Sequence, residues 1–573
     1  MEKRLLLVFA LTFIVIILFQ PILKKYFPQP PASTAPTQQA STGTTGSAPA
    51  SGSVSAQSVA AVPPAAIQLG AKQASSESET VIENDLYKIR FTNKGGLVKS
   101  WILKKYTDDK GGPLELVNNA AADQYGYPLS LWTYDETQRN KLNSVLYIAS
   151  QQGTLSAPAE VTFEYSDGEI AATKKFKFDH TYVVQIETSV TSKGANVSAL
   201  PMWPSGFGDE ISVASYASSL VEYQYNNTVE RLPIKKISGG NTIAGPMHWA
   251  GIGDQYFGAV FLPQQPQDAS LVTLRHSLEI PKDPQQPDKE KTKVEVVGAA
   301  VGNLRGPSVE RLYVGPKSLP DLESVNIPGL TGAEPDLRAL VDFGWLGLIA
   351  RPLFLWLKWT YNHIVPNWGW AILIQTVIIN LALLPLRISQ MKSMLKMQKI
   401  QPQVKSIQEK YKKYSMRDPR KAPMNEEIQA LYKKEGVNPV GGCLPMIIQM
   451  PFLFAYYRML GIAIDLRHAP WLWIRDLSAP DPWHLLPIAV ILTMLVMQRT
   501  TPQAGMDPAQ QKMMNVMMPV MLGVISWNLA SGLCLYWSVG NLIAFVQQTI
   551  MNRTTLGREM REMMEKRARK KDK

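Results

Sequence analysis

The chain has 573 residues, 45% of them hydrophobic, with 59 Lys and Arg against 47 Asp and Glu for a formal net charge of +12. That length accommodates several structural units, and the apolar residues are concentrated at the two ends rather than spread evenly. The only two cysteines, Cys443 and Cys534, lie in or beside apolar segments of the C-terminal part, which excludes a disulfide framework in the large region before them.

Residues 1–27 contain the nearly unbroken apolar run Leu5 to Leu23, with Lys3 and Arg4 before it and Lys24 and Lys25 after it. The run is long for the core of a cleaved signal and reads as an N-terminal transmembrane signal anchor; a removed signal peptide, cut near Pro31 to Ala35, is the other reading. Residues 28–78 are mostly Pro, Ala, Ser, Thr, Gln and Gly. Such a segment buries too little apolar surface to offset its ordering entropy, so a disordered linker is expected.

Residues 79–330 read as an all-β domain, with runs of strand character at Leu86 to Phe91, Leu97 to Leu103, Val161 to Tyr165, Lys175 to Phe178, Tyr182 to Val190, Tyr256 to Leu262, Lys293 to Val301 and Glu310 to Val314. Gly95-Gly96 supplies a turn, and the spacing of strands and turns favours a β-sandwich. His180, His248 and His276 are scattered and no cysteine joins them, so no metal site is expected. Neither a nucleophile motif nor a phosphate loop is present, and the reading is of a protein that is not an enzyme and needs no cofactor.

Residues 331–366 include Phe343 to His363, where Trp345, Leu348, Phe354, Leu357 and Trp359 alternate helically with Arg351 and Lys358. This is an interfacial amphipathic helix expected to lie along the outer membrane surface, or else a helix that packs on the β domain.

Residues 367–552 carry four apolar stretches: Trp368 to Leu386, Cys443 to Ile464, Trp483 to Met497 and Met514 to Met551. The last is long enough for two spans, with Ser531 and Gly532 at the turn, while the short third fits a span or a re-entrant segment. With the anchor this gives six transmembrane α-helices. Arg387 to Lys434 and the basic tail 553–573 are rich in Lys and Arg and belong in the cytoplasm, which puts both termini there and the β domain on the far side. The same basic segments suit anionic lipids or ribosomal RNA.

Inside Trp368 to Leu386 stand Gln375, Thr376 and Asn380, where a lipid-facing helix would hold apolar residues. Thr376 and Asn380 share a face, Gln375 lies beside them, and polar groups at that depth mark function. Residues 388–436 read as a cytoplasmic helical hairpin: a basic, Met-rich helix kinked or interrupted at Pro402, a turn through Pro419 and Pro423, and a return helix from Asn425 to Lys434. The methionines either contact varied apolar clients or fill the seam between the two helices.

The run Glu435-Gly436-Val437-Asn438-Pro439-Val440-Gly441-Gly442-Cys443-Leu444-Pro445, followed by Ile448-Gln449-Met450-Pro451, resembles the YidC/Oxa/Alb membrane protein insertases, in the form found in bacteria with two membranes. Asn367-Trp368-Gly369, Pro385-Leu386, Gln401-Pro402, Asp507-Pro508 with Gln510-Gln511-Lys512, and Ser531-Gly532-Leu533 with Leu535-Tyr536 extend the likeness, as do Gln255-Tyr256-Phe257 and Val314-Gly315-Pro316 in the β domain. The resemblance implies a five-helix insertase core enclosing a hydrophilic groove, closed toward the periplasm, with a periplasmic β-supersandwich. It implies insertion and folding of inner-membrane proteins, alone or with the Sec translocon (SecYEG and SecDF), with nascent membrane proteins, the ribosome and anionic lipids as partners.

On this reading the groove would be lined by Gln375, Thr376, Asn380, Gln449, Ser538 and Asn541, and clients would touch Thr376, Tyr536 and Trp537. The family's groove arginine falls at Asn380, so this chain lacks that fixed charge. Arg458, the one basic residue well inside a predicted span, is expected to reach the outer interface instead. The rival reading is a polytopic transporter with a periplasmic binding domain; ion-coupled transporters keep acids or histidines within their spans, and none stands inside the five C-terminal ones. An intramembrane protease is excluded because Ser389 and Ser538 have no histidine base within a span.

Overall fold

A computed structural model describes residues 70–282, 290–327, 329–330, 334–411, 414, 422–436, 444–500, 513–555, 558–559 and 562. The expected signal anchor, most of the linker, the Val437–Cys443 part of the long motif, Asp507-Pro508 with Gln510-Gln511-Lys512, and most of the basic tail lie outside these residues.

Three sheets build the β domain, with five, ten and five strands. In the ten-stranded sheet, Phe257–Pro263 and Ser308–Pro316 pair in its middle, and Val183–Ser192, Ile170–Phe178 and Ala159–Ser166 follow on one side by antiparallel pairing. Ala172, Phe176 and Phe178 alternate inward along Ile170–Phe178, and Phe176 meets Phe91 and Phe163 in the core. Lys174 takes the fourth inward position of that strand and is fully buried. Its Nζ donates to the carbonyls of Gly95, Gly96 and Leu129 at 2.6, 3.3 and 2.8 Å, which offsets part of the cost of burying it, although burial still pushes the amine down to about 7. The Gly95-Gly96 turn is the expected one, and its two positive φ angles, 70° and 57°, turn those carbonyls toward the lysine.

All eight expected strands are present, within a few residues of their predicted ends. Several strands, one of the expected eight among them, carry no alternating pattern. Leu200–Trp203 and Ala250–Gly253 are buried at every position, as are the first six residues of Phe257–Pro263 and of Ala269–Pro281, because both faces of these strands are covered. Period two then vanishes from the sequence.

The helical part begins with α1 (Gly347–His363), which turns Ala350, Leu353, Phe354, Leu357 and Thr360 inward. It continues through α2 (Trp368–Ala382), α3 (Leu384–Lys410), α4 (Ala422–Lys434), α5 (Leu444–Ile462), α6 (Leu485–Thr500), α7 (Met518–Ser526) and α8 (Ser531–Arg553). Lys410 and Tyr411, at the end of α3, both bind the Glu427 carboxylate of α4. Among the described residues no single helix is both long and apolar enough to cross a membrane; α2 and the start of α3 form one apolar run bent by 46°.

The turn between α7 and α8 falls at Trp527 to Ala530, just before the predicted Ser531-Gly532. Those two residues instead open α8, whose first N–H groups are satisfied from outside the helix: Ser531 N donates to Ala479 O at 2.7 Å and Gly532 N to Leu477 O at 2.8 Å.

The β domain and the helices touch directly. Gln255 Nε2 donates to Gly461 O, and Arg467 Nη1 donates to Thr107 O at 2.9 Å while its guanidinium faces the rings of Tyr256 and Phe257.

Candidate functional site: a polar seam between two helices

Helix α2 starts because Asn367 caps it, its side chain accepting from Trp370 N at 3.2 Å. Its burial follows the helical period. Ile372, Gln375, Thr376, Ile379 and Asn380 are buried, whereas Trp370, Val377, Ile378 and Leu381 are exposed. The helix is therefore inverted relative to one in a water-soluble core, with amides inside and bare aliphatic groups outside. Helix α8 runs beside it in the same direction. A β-carbon placed on Gly532 would lie 3.4 Å from Ile372, and one on Gly540 would lie 3.8 Å from Asn380 Nδ2 and 4.0 Å from Thr376. Small residues on α8 thus let its backbone approach the polar face of α2.

The polar groups of this seam divide by level. At the end toward the β domain, Gln375 is wholly buried and engaged through both ends of its amide: Nε2 donates to Leu353 O of α1 at 2.9 Å, and Oε1 accepts from Tyr456 OH of α5. Tyr456 stacks on Tyr536 of α8, with ring centroids 4.1 Å apart and planes 16° from parallel. Gln375 therefore ties α2 to α1 and α5, and through the Tyr456 ring to α8. Thr376 is also wholly buried, its Oγ1 donating to Ile372 O one turn back.

Toward the other end the seam has charge. Asn380 Nδ2 donates to Thr376 O at 2.8 Å, leaving Oδ1 to accept from Arg387 Nη2 at 3.1 Å. Gln547 Nε2 of α8 donates to Asn380 O at 3.2 Å, and Gln547 Oε1 is buried with no hydrogen-bond partner among the described residues. Position 380 carries no charge of its own, as expected, but a guanidinium from the next helix reaches it. Arg387 stands seven residues, two helical turns, beyond Asn380, and the bend after Ala382 still lets its long side chain return to the same face.

Arg458 does not serve that purpose. Its Nη2 lies 2.7 Å from Asp342 Oδ2 and its side chain is 44% exposed, at the end facing the β domain.

Ser538 and Asn541 of α8 are buried in the helix assembly, the first donating to Leu535 O at 3.2 Å and the second to Thr493 Oγ1 of α6 at 3.4 Å. Trp537 is half-buried on the neighbouring face. Gln449 belongs to α5, but its side chain lies outside the described residues. The structure thus gathers Thr376, Asn380, Ser538, Asn541 and Tyr536 about α8. It adds Arg387, Tyr456 and Gln547, which sequence reasoning missed. A spacing of seven from Asn380 pointed to the first, and steps of three from Asn541 through Ala544 pointed to the last. Tyr456 had no sequence signal, because a tyrosine in an apolar helix is ordinary.

Comparisons with known proteins agree over the whole length. The 60Kd inner membrane protein family matches residues 359–558, and the YidC periplasmic domain family matches residues 79–356. The membrane protein insertase YidC of Syntrophus aciditrophicus is 32% identical over 578 aligned residues, covering 96% of this chain and 100% of that one. That of Geobacter metallireducens is also 32% identical, covering 98% and 100%. An active YidC insertase crystal structure with its first transmembrane domain resolved aligns over 85% of this chain and 95% of that one, at 18% identity and a TM-score of 0.34.

Proposed function

This chain belongs to the YidC family of membrane protein insertases, and from that premise we propose that the seam between α2 and α8 is the path by which a client's polar segment enters the membrane. The protein is an inner-membrane insertase with a periplasmic domain.

A polar segment crossing bare hydrocarbon leaves backbone groups unsatisfied at several kcal/mol each, and a charged side chain adds roughly 2.5–3.5 kcal/mol on insertion scales. Parting of α2 from α8 exposes Thr376, Asn380, Ser538, Asn541 and the uncommitted Gln547 Oε1 to that segment and lowers the barrier. Arg387 supplies the cation at the cytoplasmic mouth. Gln375, held by Leu353 and Tyr456, keeps the outer end shut until the helices part. The apolar part of the client leaves along the exposed aliphatic face of Val377, Ile378 and Leu381, and its burial in lipid drives the process. No covalent step is involved.

The observation that carries this reading is the partly buried Arg387–Asn380 contact within a polar row whose opposite face is apolar and exposed. In the same reading the chain spans the membrane six times, counting the anchor in residues 1–27, with both termini and the α3–α4 hairpin in the cytoplasm. The exposed Leu348, Leu355 and Trp359 of α1 support its lying along the outer interface. Nascent membrane proteins are the clients; the ribosome meets the basic tail and cytoplasmic loops, anionic lipids meet the same basic surface, and the Sec translocon shares some clients.

Purified protein in liposomes tests the reading. Insertion of a small client without ATP or an ion gradient is expected, together with crosslinks from a photoreactive residue at position 380 to the stalled client. Failure to insert any small client, or insertion with no adduct at 380, overturns the seam mechanism.

A further inference from the structure

Between the β domain and the helices lies a cavity of about 440 Å³. Six charged side chains line it: Glu222, Arg231, Asp254 and Lys317 from the β domain, Asp342 from the connecting segment, and Arg458 from α5. Three positive and three negative groups leave the lining without net charge, and they largely neutralise one another in place. Lys317 Nζ is 2.8 Å from Glu222 Oε2, Arg231 Nε is 3.1 Å from Glu222 Oε1, and Arg458 Nη2 is 2.7 Å from Asp342 Oδ2. Asp254 is different. Its Oδ1 accepts from the backbone N–H groups of Tyr256 and Phe257, both at 2.6 Å, and its carboxylate faces the buried carboxyl of Asp209, which burial and the charge of Asp254 push well above the usual carboxylate range. The opposite wall includes Leu529 and Ala530, the turn that opens α8, so the cavity stands over the outer end of the polar seam.

We propose that this cavity is a receiving chamber for the polar segment of a client polypeptide as it emerges on the periplasmic side, a role that rests on the insertase mechanism above. An extended polypeptide offers N–H donors and carbonyl acceptors in equal number and no required charge. The lining matches that demand: the carboxylates of Glu222 and Asp342 accept, the guanidinium groups of Arg231 and Arg458 donate, and the net charge is nil. A phosphate headgroup makes a different demand, for an uncommitted cation, and each cation here already faces a carboxylate. The paired charges also hold the chamber open, because breaking the buried Lys317–Glu222 pair to collapse it would strand a charge in a dry site.

The test uses full-length protein in vesicles, with photoreactive residues introduced singly at positions 218, 528 and 380, and a ribosome-stalled client carrying a polar outer tail. Ser218 and Asn528 line the chamber, on the domain side and the helix side respectively. Tail adducts are expected at 380 with short client chains and at 218 and 528 with longer ones, and the ratio of adducts at 218 and 528 to those at 380 should be the same for acidic and basic tails. Ser218→Trp, which fills space on the domain side, should slow appearance of the tail outside about tenfold, equivalent to ~1.4 kcal/mol on the barrier. Adducts at 380 alone, or only lipid-mass adducts at 218 and 528, overturn the chamber and leave the seam standing. Adducts at 218 and 528 without any at 380 uphold the chamber and overturn the seam, and a complete absence of adducts overturns both.

Discussion

Arg387 reaches back across the bend between α2 and α3 and donates from Nη2 to Asn380 Oδ1 at 3.1 Å. Asn380 is itself fixed by its Nδ2 bond to Thr376 O, so its carbonyl oxygen has little choice of direction. The amide thus acts as a holder for a guanidinium whose α-carbon belongs to the next helix. A charge delivered this way differs from one rooted at position 380: it sits on a long side chain that can swing out to water and return.

Removing that charge should change which clients insert. Arg387→Gln retains a donor for Asn380 but carries no charge, so insertion of an acidic-tailed client should fall about tenfold, the scale of one charge-assisted hydrogen bond at ~1.5 kcal/mol, while a neutral-tailed client is little affected. Asn380→Arg in the Arg387→Gln background should restore the acidic-tailed client, because it returns a cation to the same place. In the native background Asn380→Arg should bring no gain, since two guanidinium groups would then share one site. Rates for paired clients in liposomes measure all three. Equal losses for both clients in Arg387→Gln would mean that Arg387 matters for packing and not for charge.

For Gln375 the expectation is the opposite. Gln375→Leu deprives Leu353 O and Tyr456 OH of their partner and should lower the stability of the helix assembly by roughly 1–2 kcal/mol, the range found for hydrogen bonds between membrane helices. The preference between acidic and neutral clients should not move. Thermal unfolding in detergent reads the first and the paired-client assay the second; an altered charge preference would place Gln375 among the groups that meet the client.

How much of the fold and the seam was legible in the sequence depended on whether a residue's partner was near it in the chain. Strands with one solvated face, such as Ile170–Phe178, announced themselves by alternation; Ala250–Gly253 did not, being covered on both sides, and an added β-carbon at Gly251 would stand 2.1 Å from Ala259 O. The unusual polarity of Gln375, Thr376 and Asn380 was plain. Their division into brace and charge holder was not, because the first depends on Leu353 and Tyr456, 22 and 81 positions away. Arg387 stood in the sequence only as the first residue of a basic segment, and its contact with Asn380 depends on the path of its side chain across the bend between α2 and α3.

In the β domain, stability should depend on the buried amine of Lys174. Lys174→Met keeps the length and apolar stem but leaves the carbonyls of Gly95, Gly96 and Leu129 without their donor. At about 1–3 kcal/mol for a buried group left unsatisfied, the domain should lose on the order of 3 kcal/mol even after partial relaxation. Chemical unfolding followed by tryptophan fluorescence is suited to this measurement, since Trp101 and Trp203 are buried in the same core. A loss below about 1 kcal/mol would mean that water enters and satisfies the three carbonyls.

The same domain should also respond to pH through a buried carboxyl. Glu210 is fully buried, and desolvation, reinforced by the negative charge of Asp254, pushes its carboxyl up to about 8 against the bonds it accepts from Ser219 Oγ and Phe207 N. A raised folded-state value means that the folded chain holds a proton which the unfolded chain has released. Its stabilising contribution is therefore fully present below the unfolded value of 4.5 and is lost as pH rises through about 8. Other groups titrate in the same domain, so the useful quantity is the difference in unfolding free energy between the native protein and Glu210→Gln, whose amide cannot ionise. That difference should shift against the native protein by a few kcal/mol between about pH 4.5 and 8, and be flat on either side. A flat difference across the whole range would mean that Glu210 is ionised in the folded domain and paired more strongly than its surroundings indicate.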